Sequence, residues 1–181
     1  MVKKITPLLA LLVLIAVTYS FTTASAPTAE LGKNVKWYTW EEAIAANEAN
    51  PKKIMVDVTT DWCGWCKRME ANTFENPEIS KYLNENFYPI KLNAEMKEDI
   101  VYDGNTFKYI PDAGRRGIHT LAYSLLDGQM SYPSIVFLDE SVQRVMVSKG
   151  YKGPDDFMVE LKYTAQEAYK SEQLDAFREK Q

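Results

Sequence analysis

The sequence predicts an α/β domain in which a mixed central sheet carries helices on both faces. Three observations predict it. Strand-length apolar runs alternate with helix signals through the first half of the chain. Two strand runs joined by a short turn come late, so the sheet is not purely parallel. A proline-opened amphipathic helix follows them.

Each element has a local cause. Thr39-Trp40-Glu41-Glu42 is a capping box, with Thr39 as N-cap and Glu42 reaching back, and Asn50-Pro51 ends the helix near Ala49. Lys53 to Thr59 is an apolar run of strand length with one acid, Asp57, inside it, and it reads as a buried central strand. A helix is expected from about Cys63 to Ala71. Asn76-Pro77-Glu78 supplies an N-cap, a first-position proline and a first-turn acid, and Ile79, Tyr82 and Leu83 carry that helix to Phe87. Tyr88 to Asn93 is the next strand. Ile100 to Ile110 alternates around Asp103-Gly104, a hairpin signal. Ile118, Leu121, Ala122 and Leu125 form one helical face, stopped near Gly128. Ser134 to Leu138 pairs with Arg144 to Ser148. Pro154 opens the last expected helix, with Phe157, Leu161, Thr164 and Ala165 on one side, and the polar tail beyond about Tyr169 is expected to fray.

Composition bounds the function. The 181 residues are 46% apolar and 25% charged, the balance of one ordinary globular domain. The net charge of −4 removes the electrostatic basis for general nucleic-acid binding. Two cysteines and one histidine exclude a disulfide-dense scaffold and a four-thiolate zinc site, and no metal or other cofactor is expected.

Residues 1–26 read as an export signal, with 27–181 as the domain. Lys3 and Lys4 precede ten uncharged residues, Leu8 to Val17, and Ala24-Ser25-Ala26 follows the A-x-A pattern. The run is short for a membrane span, which needs about 20 apolar residues. Cleavage after Ala26 would place Pro27 first, so a cut after Ala24 is open, as is an uncleaved N-terminal anchor. Membrane contact is expected only if this segment is retained. An exported chain, periplasmic or in the cell envelope, meets conditions where disulfides persist.

The chemistry-bearing motif is Cys63-Gly64-Trp65-Cys66. At a helix start this spacing sets two thiols one turn apart. The first faces unpaired N–H groups and the positive end of the helix, which stabilise a thiolate; the second lies within reach of a mixed disulfide. Half a zinc site lacks its other half, since His119 alone cannot complete four ligands. Haem attachment needs histidine where Lys67 stands. An inert structural disulfide is the remaining alternative. Asp57, among Ile54, Met55, Val56 and Val58, is expected to have a raised pKa and to carry the proton of Cys66, unless alternation turns it to water. Lys91, on the adjacent strand, is a candidate partner for Asp57 or an ordinary solvated lysine. Tyr132-Pro133 opens a buried strand, where a cis bond would offer a backbone edge to an extended substrate.

Together these residues resemble the thioredoxin superfamily. I-M-V-D-V-T-T-D-W-C-G-W-C-K is similar to the thioredoxin central strand and active site, K-L-N at Lys91–Asn93 to the strand bearing its buried lysine, and Y-P-S-I-V-F-L to its cis-proline strand. The Gly150–Gly153 stretch resembles the last turn before the final helix. The resemblance covers about residues 35–170 and implies a thioredoxin-like mixed sheet. It makes Cys63 the nucleophile, Cys66 the resolving thiol of a Cys63–Cys66 disulfide, Asp57 the proton carrier and Pro133 the cis-proline. Trp62 becomes the aromatic wall. Trp62, Trp65, Tyr132 and Pro133 form the expected substrate surface. Gly64-Trp65 replaces the Gly-Pro of thioredoxin, which points to exported single-domain proteins of the W-C-x-W-C-K type. The 39 residues between Asn93 and Pro133 exceed the thioredoxin length, so an insertion is placed at about 98–112. Arg116 to Thr120 mimics the cis-proline sequence with His119 in the proline's place; His119 is expected to be a satisfied helix-start residue.

The implied function is thiol–disulfide exchange in the bacterial envelope, reducing rather than oxidising. Its partners would be protein dithiols and disulfides and a redox donor or acceptor protein that the sequence does not name. The alternative is a redox-inactive, peptide-binding or chaperone-like module on the same fold. A peroxide- or haem-maturation role is a weaker third.

Overall fold

The structure is a computed structural model, and it describes residues 34–181. The expected export signal, residues 1–26, lies outside the described residues. No helix among the described residues is long and apolar enough to cross a membrane.

Helix α1 (Trp40–Ala49) starts on the expected capping box, with both reciprocal bonds between Thr39 and Glu42 present. Strand β1 (Lys53–Thr59) leads to helix α2 (Gly64–Met69), capped by Cys63. The helix does not stop near Ala71: a π turn, Glu70–Phe74, carries it on. Burial explains the extension, since Thr73 and Phe74 at its end are buried and the Thr73 hydroxyl donates to the Lys152 carbonyl (2.6 Å). Helix α3 (Pro77–Asn86) is capped by Asn76, whose side chain accepts from Glu78 and Ile79. Strand β2 (Phe87–Asn93) follows without a loop.

The long connection to the next sheet strand contains two small pairings. Strands β3 (Ile100–Tyr102) and β4 (Asn105–Phe107) form the expected hairpin. Its turn residues Asp103 and Gly104 have φ of 48° and 71°, as a two-residue hairpin turn with left-handed centres requires. The alternation does not extend to Ile110, however. Strand β5 (Tyr109–Ile110) pairs instead with β6 (Ile118–His119). Ile118 therefore lies on a strand rather than on the helical face predicted for it. Helix α4 (Thr120–Leu125) starts one residue after that strand, with His119 as its N-cap.

Strands β7 (Ser134–Leu138) and β8 (Arg144–Lys149) complete a four-stranded sheet of order β2-β1-β7-β8. β1 and β2 are parallel, and the other two pairings are antiparallel. Alternation along the strands sorts side chains into two cores. Ile54, Val56, Val58, Ile90 and Val136 face α1, α4 and the β3–β4 hairpin. Met55, Phe87, Ile135 and Phe137 face α2, α3 and helix α5 (Pro154–Ala165). Helices thus cover both faces of a thioredoxin-like mixed sheet.

Helix α5 is not the last, and the tail is folded. A 3₁₀ turn (Ala168–Lys170) and helix α6 (Leu174–Arg178) follow. Phe177 is buried against Tyr163, ring centroids 5.5 Å apart, and the Tyr163 hydroxyl donates to the Glu172 carbonyl (2.7 Å). One buried ring and one hydrogen bond to Tyr163 hold an otherwise polar stretch.

Candidate functional site

The site lies where β1 ends. The last turn before α2 is fixed by the Cys63 N–H donating to the Thr60 carbonyl (3.1 Å). Cys63 keeps an extended backbone, which suits an N-cap, and its sulfur accepts from the Cys66 N–H (3.1 Å). Cys63 and Cys66 are joined as a disulfide, and both are buried. The N-cap position places the Cys63 sulfur against the unsatisfied donors of the helix start, the environment that favours a thiolate once the bond is reduced.

Asp57 sits in the middle of β1 on the side facing α2, alternating with Met55. It is 4% exposed, and its Oδ1 has no hydrogen-bond partner in the described structure. Burial raises its pKa to about 7; the Lys91 charge opposes that rise and the Glu70 charge adds to it.

Lys91 is in register with Asp57 across the parallel pair, as its adjacent-strand placement predicted. It is not a buried lysine. The residue is exposed, its ammonium is ion-paired with Glu70, and it lies 5.1 Å from the Trp37 ring centroid. Lys91 therefore acts on Asp57 through its charge, while its hydrogen bond goes to Glu70. Sequence reasoning missed Glu70. The signal was its spacing: it stands seven residues after Cys63 and four after Cys66, so helical periodicity returns it to the cysteine face.

Trp62 and Trp65 flank the disulfide and are 52% and 55% exposed. Trp62 donates its Nε1–H to Glu95 (2.8 Å) and meets the Tyr132 ring edge-on at 5.9 Å. Trp65 packs on Tyr151 at 5.6 Å. The Tyr132–Pro133 peptide bond is cis, and the Pro133 carbonyl accepts from the Gly150 N–H (2.8 Å). That bond ties the start of β7 to the glycine turn before α5. The structure thus brings Trp62 and Tyr132 together, while Trp65 packs on Tyr151 instead.

His119 is the satisfied helix-start residue expected of it. It is fully buried, its Nδ1 accepts from the Leu121 N–H (3.3 Å), and its Nε2 is bonded to the Glu98 carbonyl (3.1 Å). Burial lowers its pKa, so the ring is held neutral.

Fold and site together define a thioredoxin-fold protein with a helix-capping cysteine pair. The family described as "Protein of unknown function, DUF255" (Thioredox_DsbH) matches residues 28–167, and the chain belongs to it. Among solved structures, a DsbH oxidoreductase is similar with a TM-score of 0.54 at 15% identity, over 79% of this chain and 92% of that one. A putative disulphide-isomerase from Bacteroides thetaiotaomicron gives 0.54 at 21%, over 78% and 98%. A thioredoxin from Thermus thermophilus gives 0.53 at 19%, over 71% and 85%. These likenesses establish the fold. In sequence, spermatogenesis-associated protein 20 of Mus musculus is 37% identical over 67 residues, 36% of this chain and 8% of that protein. The thiol:disulfide interchange protein DsbD of Pseudoalteromonas atlantica is 38% identical over 58 residues, 32% of this chain and 10% of that protein. The chain therefore spans a tenth or less of the length of these curated relatives.

Proposed function

We propose that this protein is a thiol–disulfide oxidoreductase of the bacterial envelope that reduces disulfides in other proteins. The observation that carries the reading is the Cys63–Cys66 pair at the start of α2, next to a strand that buries the Asp57 carboxyl with its Oδ1 lacking a hydrogen-bond partner. Membership of the family supports it, as does likeness to a relative named for thiol:disulfide interchange. The envelope location rests on the signal-like pattern of residues 1–26.

In the reduced protein the Cys63 thiolate attacks one sulfur of a partner disulfide. The partner S–S bond breaks, a mixed disulfide forms, and the first partner thiolate leaves and takes up a proton. Cys66 then loses its proton to the Asp57 carboxylate and attacks the Cys63 sulfur. The second partner thiolate leaves, and the proton held by Asp57 is released for it. Two electrons pass to the partner with two protons, one from solvent and one from Cys66 by way of Asp57, and Cys63–Cys66 ends as the disulfide. A carboxyl with a pKa of about 7 suits this relay at neutral pH, because it takes and returns a proton with little driving force lost. A dithiol donor protein must restore the reduced pair. Trp62, Trp65, Tyr132 and Pro133 form the surface on which the partner segment lies.

Insulin reduction by the full chain tests the reading. Activity should fall to background in Cys63→Ser, while Cys66→Ser should accumulate mixed disulfides with partners. An unchanged Cys63→Ser phenotype with intact peptide binding supports the redox-inactive docking module instead. Equilibration with glutathione sets the direction: potentials in this fold run from about −270 to −120 mV, and a value near −120 mV would overturn the reducing role.

A further inference from the structure

Two guanidinium groups lie over the two tryptophans that neighbour the cysteines in the chain. Arg116 lies 5.4 Å from the Trp62 ring centroid, and Arg68 lies 5.3 Å from Trp65 and 5.9 Å from Tyr151. Both arginines are exposed. Among the described residues neither has a carboxylate within ion-pair distance. A guanidinium stacked on an aromatic face keeps its N–H edge free for a planar acceptor, and stacking limits the freedom it loses when it binds one.

Arg116 is held in place by its own segment. The Tyr109 hydroxyl donates to the Arg116 carbonyl (2.6 Å). The next residue, Gly117, has φ of 77°, and a Cβ there would lie 2.2 Å from the Tyr109 hydroxyl oxygen. Only glycine lets the loop close on Tyr109, and closure aims Arg116 at Trp62. Trp62 is thereby gripped by Glu95, Tyr132 and Arg116, so half its surface faces solvent on a ring that is not free to turn.

Three carboxylates of the site region have other partners: Glu70 is ion-paired with Lys91, Asp61 accepts from the Asn93 amide (3.0 Å) and Glu95 accepts from Trp62 (2.8 Å). Lys67, exposed on α2, adds a further positive charge beside Arg68. In a chain that is acidic overall, Arg68, Arg116 and Lys67 thus put positive charge on and beside the two tryptophans next to the cysteines.

Building on the oxidoreductase reading, we infer that Arg116 and Arg68 determine specificity, selecting partner polypeptides that carry Asp or Glu on the residues flanking the disulfide cysteine. The carboxylates accept from the guanidinium edges while the cysteine reaches Cys63.

The test uses the reduced full chain and three sets of disulfide-linked peptides, identical except for Glu, Gln or Lys on either side of the cysteine. The ratio of kcat/KM for the Glu peptide over the Gln peptide should be about 3- to 10-fold, the range expected of exposed charge-assisted contacts. It should shrink towards one at about 0.5 M salt. The double variant Arg68→Lys/Arg116→Lys should keep part of the ratio, and Arg68→Glu/Arg116→Glu should reverse it in favour of the Lys peptide. Equal kcat/KM on the three peptides, or a ratio unmoved by the Glu variants, overturns the inference and leaves the oxidoreductase reading intact. Failure of that reading looks different: no peptide is reduced by a route that Cys63→Ser removes.

Discussion

Two buried carboxyl groups stand on the same side of the sheet's frame and have different lives. Asp57, in the middle of β1, has an Oδ1 with no hydrogen-bond partner and a pKa of about 7. Glu160, on α5, also has one oxygen without a partner, Oε2, but its Oε1 accepts a hydrogen bond from the Ser148 hydroxyl (2.8 Å), and Lys152 and Arg178 favour its charge. Burial raises the pKa of Glu160 as well, but these neighbours oppose it. A buried acid with a hydroxyl and cations arranged for it serves the packing of β8 against α5. A buried acid with no hydroxyl donor on Oδ1, and with Lys91 and Glu70 acting on it in opposite directions, is held near neutral pKa. The neighbours, rather than burial alone, separate the two roles.

The largest effect that would break this contrast comes from Asp57→Asn. Because the folded protein holds the Asp57 proton more tightly than the unfolded chain, whose carboxyl has a pKa near 3.8, the contribution of Asp57 to native stability is greatest below about pH 4. It is lost as pH rises from about 4 to about 7 and then levels off. The conversion sets the loss at about 4 kcal/mol at most. Denaturant unfolding of Asp57→Asn at pH 8 should therefore show a more stable protein than the parent, and at pH 4 the two should agree. The same variant should slow the resolving step, seen as a longer-lived mixed disulfide at neutral pH.

The next effect belongs to the other acid. Ser148→Ala leaves the Glu160 carboxyl without its donor and should cost about 1–3 kcal/mol in urea unfolding at neutral pH. Insulin reduction should be unaffected at temperatures where the variant is folded. If it falls, Glu160 is part of the redox machinery and the contrast fails.

The smallest effects sharpen it. Glu70→Gln removes a charge that raises the Asp57 pKa, so the Asp57 midpoint should move down; Lys91→Met removes the opposing charge, so it should move up. Each displacement is expected to stay within about one pH unit for groups exposed to solvent screening. A carboxyl-labelled NMR titration of the disulfide form reads both. Displacements in the same direction would show that the ion pair acts through structure instead of charge.

The elements with a strong local signature were legible. The Thr39 capping box, the Asn76 cap with Pro77, the Asp103-Gly104 turn and the apolar run of β1 each specify their structure from neighbours a few residues away. The cysteine pair and Asp57 were legible for the same reason, since spacing and composition of one short stretch define them. What escaped depends on contacts distant in sequence. The π turn after Met69 exists because Thr73 and Phe74 find partners elsewhere, and the tail stays folded because Phe177 reaches Tyr163. Arg116 gained its place only when Tyr109, read by alternation as part of the Ile100 to Ile110 hairpin, closed a separate loop with Gly117.

Strand β2 is an outer strand of the sheet, and beside it the described chain offers only the isolated bridge from Tyr38 to Ile90. Such a rim is a template on which other copies of a chain can stack. Here the rim carries Pro89, which has no N–H to offer a newcomer, and an exposed lysine, Lys91, two residues later. Edge-to-edge growth would bury that ammonium against its equivalent or strip it from Glu70. The lysine in register with Asp57 thus has a second consequence, in colloidal behaviour: it helps keep the open edge of the sheet from pairing with other chains.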